Sequence, residues 1–187
     1  MAGDPGAFDR FVEVFRARIF QYSLQMCGQR EDAEEVAQET LLKVFQSFDQ
    51  LRDPERVRSW VFRIARNACL MKRRKSVFAP VQELSLEDYL PQVRQEDGPR
   101  RLEIADWSAL PDDQVLRAEL REVIQRAIGE LPEMYRAVIL LRDIEELSTA
   151  EAAGVLETTE EVVKTRLHRA RLAVRQKLDA YLRGRRN

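Results

Sequence analysis

Histidine is nearly absent from this chain of 187 residues, and cysteine is scarce: His168 is the single histidine, and Cys27 and Cys69 are the two cysteines. That set cannot supply the ligands of a zinc site, and two cysteines cannot build a disulfide framework. Both cysteines are expected to be small buried apolar side chains, with no metal and no cofactor. No apolar run is long enough to span a bilayer. The opening MAGDPGAFDRF lacks the basic-then-apolar order of a signal peptide, so a cytoplasmic protein without membrane insertion is expected. Glycine numbers only seven and is nowhere gathered into a phosphate-cradling loop. There is no internal repeat, no strand-like alternation, no catalytic dyad and no convergent metal-binding set of acids, which argues against an enzyme.

What the chain does have is helical periodicity. Phe8, Phe11, Val12, Phe15, Ile19 and Tyr22 form one stripe over residues 8–27, and Ala33, Val36, Ala37, Leu41, Val44 and Phe48 form another over 31–48. The opposite side of the second helix carries Asp32, Glu34, Glu35, Gln38 and Glu39, and acids in its first turns suit the helix dipole. Asp53 can cap, and Pro54 can start, a helix over 54–75 that buries Val57, Trp60, Val61, Ile64, Ala65 and Ala68. From residue 76 to 112 the periodicity fades among prolines and acids, which reads as a flexible acidic linker. Helices resume with Val115, Leu116, Leu120, Val123, Ile124 and Ile128, again from Pro132, then over 147–156 and about 160–182. The expected fold is all-α: two small helical domains, residues 8–75 and 113–182, joined by the linker 76–112.

The net charge of −1 hides a strong segregation. Residues 56–75 hold eight Lys/Arg and no acid, and residues 162–187 hold nine Lys/Arg and one acid, Asp179. Residues 82–114 hold nine acids and three arginines. Two basic surfaces separated by an acidic tract can attract phosphates at two places.

The segment LSTAEAAGVLETTEEVVKTRLHRARLAVRQKL (147–178) reads as a helix-turn-helix whose second helix enters the major groove. Val163, Leu167, Ala170, Val174 and Leu178 form its buried side, and Ala153 stands where the two helices cross. Thr158 or Thr159 can cap the second helix, and Thr158 with Glu161 has capping-box spacing. Lys164, Thr165, Arg166, His168, Arg169 and Arg171 lie on or beside the polar faces, where early residues reach base edges and later ones meet phosphates. Glu160 can accept from a cytosine amino group or simply favour the helix N-terminus. In the 54–75 helix, Trp60 among arginines is either core or a stacking surface, and Asn67 is a polar side chain able to contact backbone or base.

Three segments together resemble bacterial sigma factors of the sigma-70 superfamily, in particular the small extracytoplasmic-function (ECF) type. DAEEVAQETLLKVFQSF (32–48) resembles the helix that docks on core RNA polymerase, which implies polymerase-facing roles for Asp32, Glu35, Gln38 and Glu39. VRSWVFRIARNACLMKRRK (57–75) is similar to the helix that recognises and melts the −10 element. The resemblance implies DNA contacts for Trp60, Arg63, Arg66, Asn67, Arg73 and Arg74, with Met71 in place of the usual aspartate, and Lys72 of the same basic run is expected on DNA with them. LPEMYRAVILLRDIEELSTAEAAGVLETTEEVVKTRLHRARLAV (131–174) is similar to the −35-binding domain, which implies DNA contacts for Lys164, Thr165, Arg166, Arg169 and Arg171, beside the Glu160 already singled out by its place at the helix start. Here Glu146 and Glu157 stand where glycine is common, and Glu161 and Val162 replace a Gly-Thr pair. A side chain where glycine relieves a positive backbone angle demands an altered turn or about 1 kcal/mol of strain.

The resemblance implies a promoter-specificity subunit whose partners are core RNA polymerase, promoter DNA including the melted −10 strand, and an anti-sigma factor. The rival reading is a stand-alone helix-turn-helix regulator that binds duplex DNA as a dimer. The acidic face of 31–48 separates the two, because a repressor has no use for it.

Overall fold

A computed structural model of the chain describes residues 6–48, 53–75 and 114–184. The segment 76–112, expected as the acidic linker, lies outside the described residues, as does the division into domains that depends on it. Among the described residues the fold is helical throughout, with seven α-helices: α1 (Ala7–Cys27), α2 (Arg30–Ser47), α3 (Val57–Lys75), α4 (Gln114–Gly129), α5 (Glu133–Ile139), α6 (Thr149–Leu156) and α7 (Glu160–Gly184).

α1 and α2 form an antiparallel hairpin. Gly28 ends α1 in the left-handed region at φ 80°, and its N–H closes on the Leu24 carbonyl at 2.9 Å, so α2 starts almost at once. α3 is preceded by a 3-10 turn, Pro54–Arg56, and Asp53 caps that turn by accepting from the Glu55 N–H at 3.0 Å. The core of these three helices is Ile19, Tyr22, Val36, Val44, Val61 and Phe62, all essentially inaccessible. Tyr22 and Phe62 meet edge to face at 5.2 Å between ring centres. The expected α3 stripe is rotated in the structure. Val61, Ala65 and Ala68 are buried as expected, Phe62 and Cys69 join them, and Val57, Trp60 and Ile64 are only half-buried. A helix packed against α1, α2 and α6 at once buries more than one stripe, and periodicity alone does not say which face wins.

α4 to α7 form the second set. Helix α5 does not stop at Ile139. It continues as a π-helical turn, Leu140–Ile144, in which the Glu145 N–H reaches back to the Leu140 carbonyl at 2.8 Å. Ser148 and Glu151 make a reciprocal capping box at the start of α6. The box expected at Thr158 and Glu161 is not formed: Thr159 caps α7, its hydroxyl accepting from the Val162 N–H at 3.3 Å. Thr158 is instead held by the end of α6, its N–H donating to the Ala153 carbonyl. Both glutamates at the glycine-type positions adopt left-handed backbone, Glu146 at φ 56° and Glu157 at φ 54°. The turn therefore keeps its glycine geometry and carries the strain.

Candidate nucleic-acid interface

The helix-turn-helix is α6 and α7. Ala152, Ala153, Val155 and Leu156 of α6 are buried against Val163, Leu167 and Ala170 of α7, as the sequence pattern requires. This leaves the other side of the α7 N-terminal half in solvent: Glu160, Lys164, Thr165, His168 and Arg169 are exposed and Arg166 is half-exposed. Lys164 makes only an i,i+3 pair with Glu161 at 3.6 Å. Arg166 and Arg169 make no ion pair or hydrogen bond among the described residues. Arg171 differs. It grips Asp143 of the π-helical turn with two hydrogen bonds, at 2.9 and 2.6 Å, and so ties α7 to the turn that leads into α6.

The basic residues of α3 are arranged otherwise. Arg63 donates to the Gly154 carbonyl at 3.2 Å and Arg66 to the Val155 carbonyl at 3.3 Å. These carbonyls lie in the last turn of α6, where main-chain oxygens lack helical partners and the helix dipole is negative. Arg58 donates to the Glu145 carbonyl and pairs with Glu146 at 3.7 Å. Arg18 of α1 completes the junction, its guanidinium 2.8 Å from the Glu145 carboxylate. Glu145 is 3% exposed, and burial pushes its carboxyl above the ordinary range against the pull of Arg18 and Arg58. Further along the contact, Arg136 of α5 donates to the Gln25 carbonyl at 3.0 Å, near the end of α1. The α3 face expected at the −10 element thus abuts the first helix of the helix-turn-helix.

Trp60 is half-buried and Asn67 exposed on α3, whereas the side chains of Arg73 and Arg74 lie outside the described residues. Lys72 turns away from α6 and toward α2, pairing with Glu35 and, at 3.6 Å, with Asp32. The Glu35 hydrogen bond holds its ammonium above the usual value. One residue expected on DNA is therefore linked to two expected on polymerase.

On α2, Glu35 and Gln38 are exposed, Asp32 and Glu39 half-exposed, and Glu39 pairs with Lys43 at 2.6 Å. The stripe through Glu35 and Gln38 continues with Leu42 and Phe45, which are 56% and 61% exposed. Sequence periodicity had singled out Leu41, Val44 and Phe48 as the inward residues and left these two without a role. The signal was present in the spacing 35, 38, 42, 45, which is one helical face.

Helices α1 to α3 pair an acid-faced helix with a basic one, helices α4 to α7 carry the helix-turn-helix, and one continuous core joins the two sets. Family models match both: Sigma-70 region 2 over residues 11–77 and Sigma-70, region 4 over residues 121–174. The chain is 33% identical over 178 residues to the ECF RNA polymerase sigma factor SigW of Bacillus subtilis, covering 94% of this chain and 91% of that one. It is 29% identical over 185 residues to the ECF RNA polymerase sigma-E factor of Escherichia coli, covering 97% and 91%. Its structure is similar to that of CnrH in complex with the cytosolic domain of CnrY, with a TM-score of 0.61 and 25% identity over 96% of this chain and 92% of that one. A likeness of fold extends to RpoE of Bartonella quintana in complex with the anti-sigma factor NepR, with a TM-score of 0.65 and 19% identity over 93% and 98%.

The chain belongs to the ECF RNA polymerase sigma factors. It is a promoter-specificity subunit that binds core RNA polymerase and directs transcription initiation. No helix among the described residues is long and apolar enough to cross a membrane.

Proposed function

We propose that the start of α7 reads the −35 element, that α3 reads the −10 element and holds its melted strand, and that the outer face of α2 docks on polymerase. The observation that carries this reading is the contrast on α7: one side is sealed against α6, while Lys164, Thr165, Arg166 and Arg169 face outward. Glu160 stands at the groove mouth beside them, and Arg171 reaches a phosphate only by leaving Asp143. On α3, Trp60 offers a ring for base stacking while Arg63, Arg66, Asn67, Lys72, Arg73 and Arg74 supply donors to bases and phosphates. On α2, Glu35 and Gln38 share one face with the exposed apolar pair Leu42 and Phe45, and Asp32 and Glu39 lie toward the same end, so polar residues adjoin an apolar anchor as on a protein docking face.

In this reading the packed form must open. Arg63 and Arg66 each donate one N–H to an α6 carbonyl in the packed form, and promoter engagement exchanges those carbonyl partners for phosphates and bases. Strand opening follows from capture of exposed bases by α3, and the polymerase performs the chemistry. An anti-sigma factor belongs to the same reading, as a protein that keeps these surfaces from polymerase and promoter. A cytoplasmic location is part of this proposal.

The test is transcription by purified core polymerase on a library of randomised promoters, with and without the protein. Start sites preceded by two shared motifs at fixed spacing are expected. Leu42→Asp with Phe45→Asp should abolish the stimulation while leaving duplex binding by α7 intact. Duplex binding without any stimulation of core polymerase would favour the stand-alone regulator.

A further inference from the structure

The chain's two cysteines are 42 positions apart, yet α1 and α3 bring their sulfurs to 3.2 Å, with the Cys27 thiol donating to Cys69. The two residues differ in access. Cys69 is 1% exposed and sits inside the core beside Tyr22 and Ser23 of α1. Cys27 is half-buried at the last position of α1, where exposed Gly28 turns the chain away. No group of His, Cys, Asp or Glu suited to a metal ion exists among the described residues, so the pairing is not part of such a cluster.

We propose that Cys27 and Cys69 are a reversible dithiol–disulfide pair, closed by peroxide and reopened by thiol reductants. A disulfide has an S–S length of about 2.05 Å, so closure needs a movement of about 1 Å, within the reach of side-chain adjustment at the end of a helix. The order of events follows from access. Cys27 sulfur attacks one oxygen of hydrogen peroxide, the O–O bond breaks, and water leaves with the thiol proton, giving a sulfenic acid at Cys27. Cys69 sulfur then attacks Cys27 sulfur, the S–O bond breaks, and the hydroxyl departs as a second water with the Cys69 proton. Two thiols and one peroxide give one disulfide and two waters.

The hydrogen bond with Cys27 and burial both push the Cys69 thiol up, so Cys27 is the first to react, and the 3.2 Å approach of the two sulfurs makes Cys69 the resolving partner. Reduction runs back through the accessible sulfur: a reductant thiolate attacks Cys27, and Cys69 leaves. The link joins the end of α1 to α3 two residues beyond Asn67 and closes a long loop, which restricts the unfolded chain and stabilises the three-helix unit. Oxidation thereby lengthens the life of the unit that carries the proposed −10 surface, and this inference holds whichever partner that surface meets.

The experiment uses the full-length protein, reduced and then exposed to hydrogen peroxide. Non-reducing peptide mapping should show the Cys27 and Cys69 peptides joined, with the intact monomer lighter by two hydrogens. The Tm of the oxidised protein should rise by on the order of 5 °C and fall back on reduction. In Cys69→Ala, a sulfenic acid at Cys27 should accumulate and react with dimedone. The wild-type map decides the matter if that variant folds poorly. Two thiols that remain free to alkylation after peroxide, over-oxidation of Cys27 without a link, or a link only between separate molecules would each overturn the proposal.

Discussion

α3 and α7 are both basic helices with one buried side, and their arginines behave in opposite ways. On α7, Arg166 and Arg169 make no hydrogen bond or ion pair among the described residues, and Arg171 pairs within its own bundle. On α3, Arg58, Arg63 and Arg66 all donate to main-chain carbonyls between Glu145 and Val155 of the other bundle. The difference separates guanidiniums without a protein partner among the described residues from guanidiniums that each give a donor to a neighbouring carbonyl. Moving these guanidiniums fully onto phosphates would leave the part-buried Val155 carbonyl without its partner, which has its own penalty. On the proposed reading the α7 face meets duplex DNA as it stands, whereas the α3 face gains its full set of donors once its contacts with α6 are released.

The comparison breaks most sharply at Glu145. Removing one partner of a buried ion pair is worth about 3–5 kcal/mol at full burial, and less here because Arg18 keeps some solvent contact. Glu145→Lys places a third cation beside Arg18 and Arg58 and should separate the bundles. Small-angle scattering should report a larger radius of gyration, and binding of a single-stranded −10 oligonucleotide to the free protein should strengthen. An unchanged radius with intact helicity would show that the carboxylate does not hold the closure.

Arg169→Ala and Arg63→Ala sharpen the same contrast from the two sides. Loss of a phosphate contact on α7 should weaken duplex binding by about 1–2 kcal/mol and lower the salt slope by roughly one. Arg63→Ala should leave that duplex affinity unchanged and loosen only the packing against α6. Equal effects of the two on duplex binding by the free protein would erase the distinction.

The strained turn between α6 and α7 offers a smaller effect. Glu157→Gly removes a side chain from left-handed backbone and should stabilise the protein by about 1 kcal/mol, a rise of a few degrees in Tm by calorimetry. Glu146→Gly should give less, because it also removes the pair with Arg58.

The smallest effect is on pH. Glu145 has a folded-state pKa raised chiefly by burial, so its contribution is present in full below its unfolded pKa and fades as pH rises through the raised value. The packed form should be firmest on the acid side of that window and loosen toward neutrality. Glu145→Gln keeps an acceptor for Arg18 but cannot titrate, and its scattering profile should be flat across the same range.

Much of the molecule was legible in the chain. The stripes of α1, α2 and α7 are simple: one buried side at helical spacing, so Phe11, Val36, Val44, Leu167 and Val174 could be named as core from their period. Asp53 and Pro54 announced the approach to α3, and the basic outward residues of α7 followed from its buried side. Legibility failed where a residue answers to neighbours that are distant in sequence. Phe62 is buried because α3 packs on several elements, which no single stripe records. The sequence offered Thr158 or Thr159 as the cap of α7, and only the folded turn settled on Thr159. Leu42 and Phe45 looked like any other apolar residues of a helix until the core formed without them.

By itself, the sequence determined the helices, their polar and apolar sides, the segregation of charge and the family, because each depends on residues a few positions apart. Tertiary structure alone decided which arginines are engaged, that a buried glutamate joins the two bundles, and that two scattered cysteines become neighbours. Those outcomes depend on distances between helices, which the packing of the whole core sets and no local pattern encodes.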